Sequence, residues 1–249
     1  MTGLGAFLRF EVLRLVRNVR YVGISMGFPV LFYVLFLHDE QPAQHIDGTT
    51  WRTYFLVSMA SFGAMVAALN AGGTRLAAER ASGWTRQLRV TPLPSWSYVV
   101  TKITASMVIV LPVVCVVELT GLLLGDVRLG LGTWVALTVV LWAAAVPFAT
   151  LGVLVGFVVS SETAYPLVTA LMFLLSFFGG LFTPMGDLPV ALRRVATFLP
   201  SYHDASLGWA VVAGRGPGPA HAAVLVGYAA VLGLVVTWRH RVEEARAFA

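Results

Sequence analysis

Apolar positions in this chain come in unbroken runs rather than in alternating or amphipathic stripes. Six runs stand out: Tyr21–Leu37, Tyr54–Ala71, Val99–Leu124, Thr133–Ser160, Tyr165–Thr183 and Ala222–Trp238. The hydrocarbon core of a bilayer takes about 20 apolar residues in helical form, with about 17 as a floor. These runs are too long for core strands and lack the polar face of a core helix. They predict an all-α integral membrane protein of about six transmembrane helices, forming a single transmembrane domain over residues 1–249. The third and fourth runs exceed the membrane's need, so they are expected to tilt, kink at Pro112 and Pro147, or extend beyond it. Gly23/Gly27, Gly121/Gly125 and Gly152/Gly156 each offer a small-residue face for close helix packing. Chance is as good an explanation for any single pair among 24 glycines. The first run has the basic flank of a signal peptide but no small-residue cleavage site after Leu37, and it is retained as a span.

Three segments do not span. Residues 1–20 place Leu4, Leu8, Val12 and Leu15 on one helical face and Arg9, Arg17 and Arg20 on another, which predicts an interfacial helix. Residues 72–98 make a long polar connection, in which Gly83 can end a first short helix and Thr91-Pro92 stops a second. Residues 184–221 are punctuated by Pro184, Pro189 and Pro200 into apolar pieces too short to span. Short re-entrant helices packed against protein would explain them.

Composition sharpens the picture. Of 249 residues, 58% are hydrophobic and 12% charged, against about 25% charged in a soluble domain. Mean hydropathy is +0.81. The net charge of +5 does not imply nucleic acid, because the basic residues flank apolar runs, where they face anionic lipid headgroups. Every basic residue but Lys102 is arginine, as in a G- and C-rich genome, and a bacterial inner membrane is the expected location. With both termini in the cytoplasm, twelve basic residues fall inside and five outside, namely Arg52, Arg128, Arg193, Arg194 and Arg215. That bias satisfies the positive-inside rule and supports an even number of spans.

The candidate chemistry is mostly an absence. Lys102 follows Thr101 with no glycine in the preceding ten residues, so the phosphate-binding Gly-x-x-x-x-Gly-Lys-Ser/Thr loop is missing. No Gly-x-Ser-x-Gly, His-Glu-x-x-His or Cys/His metal spacing occurs. Cys115 is the sole cysteine, so no disulfide forms within the chain. No catalytic residue, bound cofactor or metal is expected, and the five histidines suit ordinary polar roles. Glu118 is the exception in an apolar run. It reads equally as a proton relay or cation contact, and as a neutral or hydrogen-bonded acid near the outer interface, aided by Thr120. Glu162, in Ser160-Ser161-Glu162-Thr163, suits a helix N-terminus.

Two motifs give the chain a recognisable character. One is Glu79-Arg80…Gly83-Trp84-Thr85-Arg86-Gln87-Leu88…Thr91-Pro92-Leu93, followed by Lys102. The other is Phe178-Gly179-Gly180-Leu181-Phe182-Thr183-Pro184…Leu188-Pro189…Phe198-Leu199-Pro200-Ser201-Tyr202. In order and distance the chain resembles the ABC type-2 transporter permease family over essentially its whole length. The resemblance implies a permease without its own ATP site. It would pair with a second permease copy or paralogue and with two ABC ATPase subunits that bind ATP and Mg. It also implies that residues 72–98 are the coupling element, with Glu79, Arg80, Gly83, Arg86, Arg89, Thr91 and Pro92 as its candidate residues. By the same analogy the second and fifth spans border the pathway, where Phe55, Met59, Phe62, Met65, Leu174, Phe177 and Phe178 would meet an amphipathic drug, antibiotic or lipid-like cargo. For any one of these side chains, ordinary helix packing is the simpler explanation. Rival readings are a proton-driven carrier using Glu118 and a non-transporting membrane scaffold.

Overall fold

From Thr53 to Thr74 the chain carries no charged residue, and this stretch forms the heart of the protein. In a computed structural model that describes residues 5, 8–10, 13, 19–37, 45–83 and 95–247, it lies within one helix, Trp51–Ala81. In chain order the elements are α1 (Val19–Phe36), β1 (His45–Ile46), β2 (Thr49–Thr50), α2 (Trp51–Ala81), α3 (Ser95–Leu123), α4 (Leu131–Ala144), α5 (Val146–Val158), α6 (Ser161–Phe178), α7 (Val190–Ala196), α8 (Pro200–Val212) and α9 (Pro219–Ala247). Among the described residues, α2, α3, the α4–α5 pair, α6 and α9 are long and apolar enough to cross a membrane. Helix α1 coincides with the first expected span; its 18 residues reach about 27 Å. Residues 5, 8–10 and 13 are helical, but the rest of the expected interfacial helix lies outside the described residues.

Helix α2 is the central pillar, surrounded by α1, α3, α5, α6 and α8. It is buried all round because its sequence is apolar all round, with small residues where neighbours come close. The closest approach is to α5. A Cβ on Gly72 would lie 2.7 Å from the Val153 nitrogen, one on Gly152 2.7 Å from the Leu69 carbonyl, and one on Gly156 2.9 Å from the Gly72 carbonyl. Backbone therefore meets backbone, and Gly152/Gly156 is a true packing face. Gly121 and Gly125 likewise receive Leu56 and Tyr33, whereas Gly23 and Gly27 have no neighbour within 4 Å.

One expectation is corrected. The second span does not end at Ala71 before a separate short helix; α2 runs unbroken through Gly72-Gly73, because those glycines face α5. At its far end Gly83 takes φ +75°, the left-handed conformation that ends helices. The fourth run is two helices meeting at Ala145, with Pro147 near the start of the second. Pro147 has no N–H to continue the ladder. In α3, by contrast, Pro112 lies inside a continuous helix.

Candidate functional site

Polar and exposed features gather at the two ends of α2. At the Gly83 end, Glu79 is only 3% exposed and Lys102, two turns into α3, only 4%. Lys102 Nζ donates to Glu79 Oε2 at 2.5 Å, and Arg75 Nε donates to Glu79 Oε1 at 3.3 Å. The aliphatic stem of Lys102 brings its ammonium over the Tyr98 ring, 5.4 Å from the centroid. Tyr98, Phe157 and His240 stack around the same point, joining α3, α5 and α9. Arg80 donates to the carbonyls of Gly156 (2.9 Å) and Val159 (3.4 Å). A cation there also suits the α5 C-terminus.

This geometry alters the roles expected for the coupling residues. Glu79 and Arg80 were expected to face a partner, but Glu79 is enclosed and Arg80 is engaged with α5. Their contacts tie α2 to α3 and α5. Ser82, just past the helix, is exposed. Arg86, Arg89, Thr91 and Pro92 lie outside the described residues.

The residues expected along a pathway divide in two. Phe55, Met59, Phe62 and Met65 are all buried, packed among the helices of this chain rather than exposed on a face. Phe55 packs on Tyr33, Phe36 and Trp51, and Phe62 on Phe182. Leu174, Phe177 and Phe178 on α6 are exposed, Phe177 by 60%, and form an apolar face. Glu118 is buried; Thr138 donates to its Oε2 at 2.6 Å, while Oε1 has no hydrogen-bond partner. Thr120 is not the helper expected, since its hydroxyl donates to the Val116 carbonyl. Ser160 caps α6 by accepting from the Thr163 N–H, with Glu162 in the first turn.

At the Trp51 end the expected proline-punctuated helices appear as α7 and α8. A tight hairpin precedes α2, with Asp47 and Gly48 both at positive φ, as a two-residue turn demands. Thr50 then accepts from the Thr53 N–H and caps α2. Trp209 stacks on Tyr54 at 4.4 Å and donates to the Tyr54 carbonyl, Gly208 rests on Val57, and Asp204 lies beside Ser61. Those three contacts make α8 antiparallel to α2. Ser201 donates to the Leu175 carbonyl and ties down its start. His203 donates from Nε2 to the Thr197 carbonyl, and its Nδ1 lies 2.8 Å from His221 Nδ1. In the neutral form His203 therefore accepts at Nδ1 from His221.

A polar cavity of about 370 Å³ opens here between Asp47, Tyr202, Ser206, Trp209, Arg215 and His221. A wholly apolar crevice of about 400 Å³ lies among Val140, Pro147, Leu207, Pro217, Leu225 and Val226. The sequence reading missed Asp204. It is 1% exposed, and neither carboxyl oxygen has a hydrogen-bond partner; the nearby Ser61 hydroxyl makes no bond of good geometry.

Comparison with known proteins agrees with this helical arrangement. The family described as "ABC-2 family transporter protein" matches residues 41–238. A curated protein of Bacillus subtilis (strain 168), named "Putative transport permease YvfS", is 30% identical over 238 residues. The alignment covers 94% of this chain and 96% of that protein.

Proposed function

This chain belongs to the ABC-2 transporter family, and from that premise we propose that it is the membrane subunit of an ATP-driven exporter. Separate ATPase subunits act on the segment between α2 and α3, and paired membrane halves alternate between inward-open and outward-open states. The cargo is an amphipathic small molecule, drug, antibiotic or lipid-like compound.

One observation carries the coupling part: α2 is a single helix of 31 residues, about 46 Å long, and so exceeds the roughly 30 Å hydrocarbon core. Its Gly83 end is fastened to α3 through Glu79 and Lys102 and to α5 through Arg80. A push on the 84–94 connection would thus reach several spans at once. The twelve-to-five distribution of basic residues favours placing this end in the cytoplasm. The polar cavity beside an apolar crevice, together with the aromatic face of α6, supports a cargo with both characters.

The test uses the full chain reconstituted with the ABC ATPase of its genomic neighbourhood. ATP hydrolysis rises when the permease is present, and Arg86→Glu uncouples hydrolysis from transport while leaving insertion intact. In a Cys115→Ala background, a cysteine in place of the exposed Ser82 is inaccessible to impermeant thiol reagents on intact cells. Labelling from outside removes the coupling assignment, because no ATPase could then reach this segment.

A further inference from the structure

Asp204 is the one fully enclosed carboxyl among the described residues with neither oxygen bonded, and its depth gives that fact a meaning. The uncharged stretch of α2 runs from Thr53 to Thr74, and Ser61 lies within three residues of its middle, roughly 4 Å along the axis. Asp204, beside Ser61, is therefore near the centre of the membrane. An ionised carboxylate there is enclosed by protein, with no countercharge or hydrogen bond among the described residues, a costly arrangement for a buried charge. Helix α8 gives no compensation, since Asp204 lies one residue past the first turn, where backbone N–H groups are no longer free.

Among the described residues, no charged group stands beside it from the packed elements. On α2 the neighbour is Ser61; Arg52 lies at one end of that helix, and Arg75, Glu79 and Arg80 at the other. Helix α4 contains no titratable side chain. On α6 the titratable residues, Glu162 and Tyr165, sit near its start, away from the Leu175 contact with α8. His221 of α9 is bonded to His203, and His203 and Tyr202 are the neighbours on α8 itself.

We propose that Asp204 is a proton-binding site at mid-membrane, carrying its proton while α8 is packed on α2 and releasing it when the two helices part. In the packed state the neutral acid can donate its O–H to Ser61 Oγ after a small adjustment. When α8 moves off, the O–H bond breaks, its electron pair stays on the carboxylate, and the proton passes to water entering the gap. Tyr202 and Ser206, elsewhere around α8, already border the polar cavity. The site requires only that the chain lies in a membrane, so it stands or falls separately from the ATPase partnership.

Infrared difference spectroscopy on the full chain in lipid nanodiscs reads the protonation directly. A neutral carboxylic-acid carbonyl band persists at neutral pH and is lost in Asp204→Asn but retained in Glu118→Gln. The band is indifferent to sodium and potassium. An unchanged spectrum in Asp204→Asn, or disappearance of the band on adding either cation, overturns the proposal; the latter outcome would make this a metal-cation site. Thermal unfolding of the wild type gives a second readout should the Asn variant fail to fold. The folded-state affinity for the proton exceeds the unfolded one, so stability is full below the ordinary aspartate range and falls as pH rises. The folding equilibrium loses about tenfold per pH unit until the folded acid itself ionises. A profile that rises with pH across that window refutes the site.

Discussion

Replacing Lys102 by methionine should unfasten the Gly83 end of α2. The methionine keeps most of the stem's volume but removes the ammonium that donates to Glu79 Oε2. Glu79 would remain 3% exposed, with Arg75 still donating to it at 3.3 Å. Breaking one side of a buried ion pair costs about 3–5 kcal/mol. The surviving Arg75 contact and its 19% exposure put this case at the lower end, about 3 kcal/mol. For a chain of this size each kcal/mol moves the unfolding midpoint by roughly 2–4 °C, so the midpoint should drop by about 6–12 °C. The double variant Glu79→Gln/Lys102→Met removes both charges together and should recover most of the loss, because a neutral, well-packed replacement of a buried pair is often tolerated. Thermal unfolding of wild type, both single variants and the double variant in nanodiscs completes the cycle. A Lys102→Met midpoint equal to wild type, or a double variant no better than the single, would show that the pair does not clamp the helices.

Four further substitutions probe packing and the second acid. Gly156→Leu should prevent folding, since even a Cβ would sit 2.7 Å from Leu76 Cβ and 2.9 Å from two carbonyl oxygens of α2. Gly27→Ala, with no neighbour within 4 Å, should shift stability by no more than about 1 kcal/mol; equal behaviour of the two in a folding assay would refute the α2–α5 crossing. Glu118→Gln keeps an acceptor for Thr138 and removes the charge, so folding and ATP-driven transport should persist. Loss of transport in a folded Glu118→Gln protein would favour the proton-carrier reading. Thr138→Val, which strands Glu118 Oε2, should cost about 1–3 kcal/mol in the same unfolding assay.

The spans were legible because length and hydropathy are local properties: a run such as Val99–Leu124 has little choice in a membrane. What the sequence concealed depends on contacts between elements. Gly72-Gly73 looks like the end of a span, yet these glycines keep α2 helical by letting α5 approach. That continuation carries Glu79 along one helix and toward Lys102, so a residue that reads as a loop charge becomes an internal fastening. Phe55 and Phe62 look like soft pathway lining until α1, α8 and the 179–183 turn close around α2. Asp204 was hidden for a different reason. It sits in a proline-broken segment with three arginines, where an acid looks ordinary, and only the antiparallel packing of α8 on α2 reveals its depth.

The buried acids also differ in how they respond to opening. Glu79 is bonded across the gap to Lys102, so separating α2 from α3 would lose that charge-assisted bond before water could replace it. Asp204 has only the Ser61 contact to lose, and water admitted between α8 and α2 would solvate the carboxylate left when the proton departs. Against that gain stand the Trp209–Tyr54 stack, the Ser201 bond to Leu175 and the His203 links. A bonded acid at one end of the pillar and an unbonded one near its middle thus make the molecule mechanically unequal. The Gly83 end is fitted to move as a unit, and α8 is the element whose departure the surrounding water would favour.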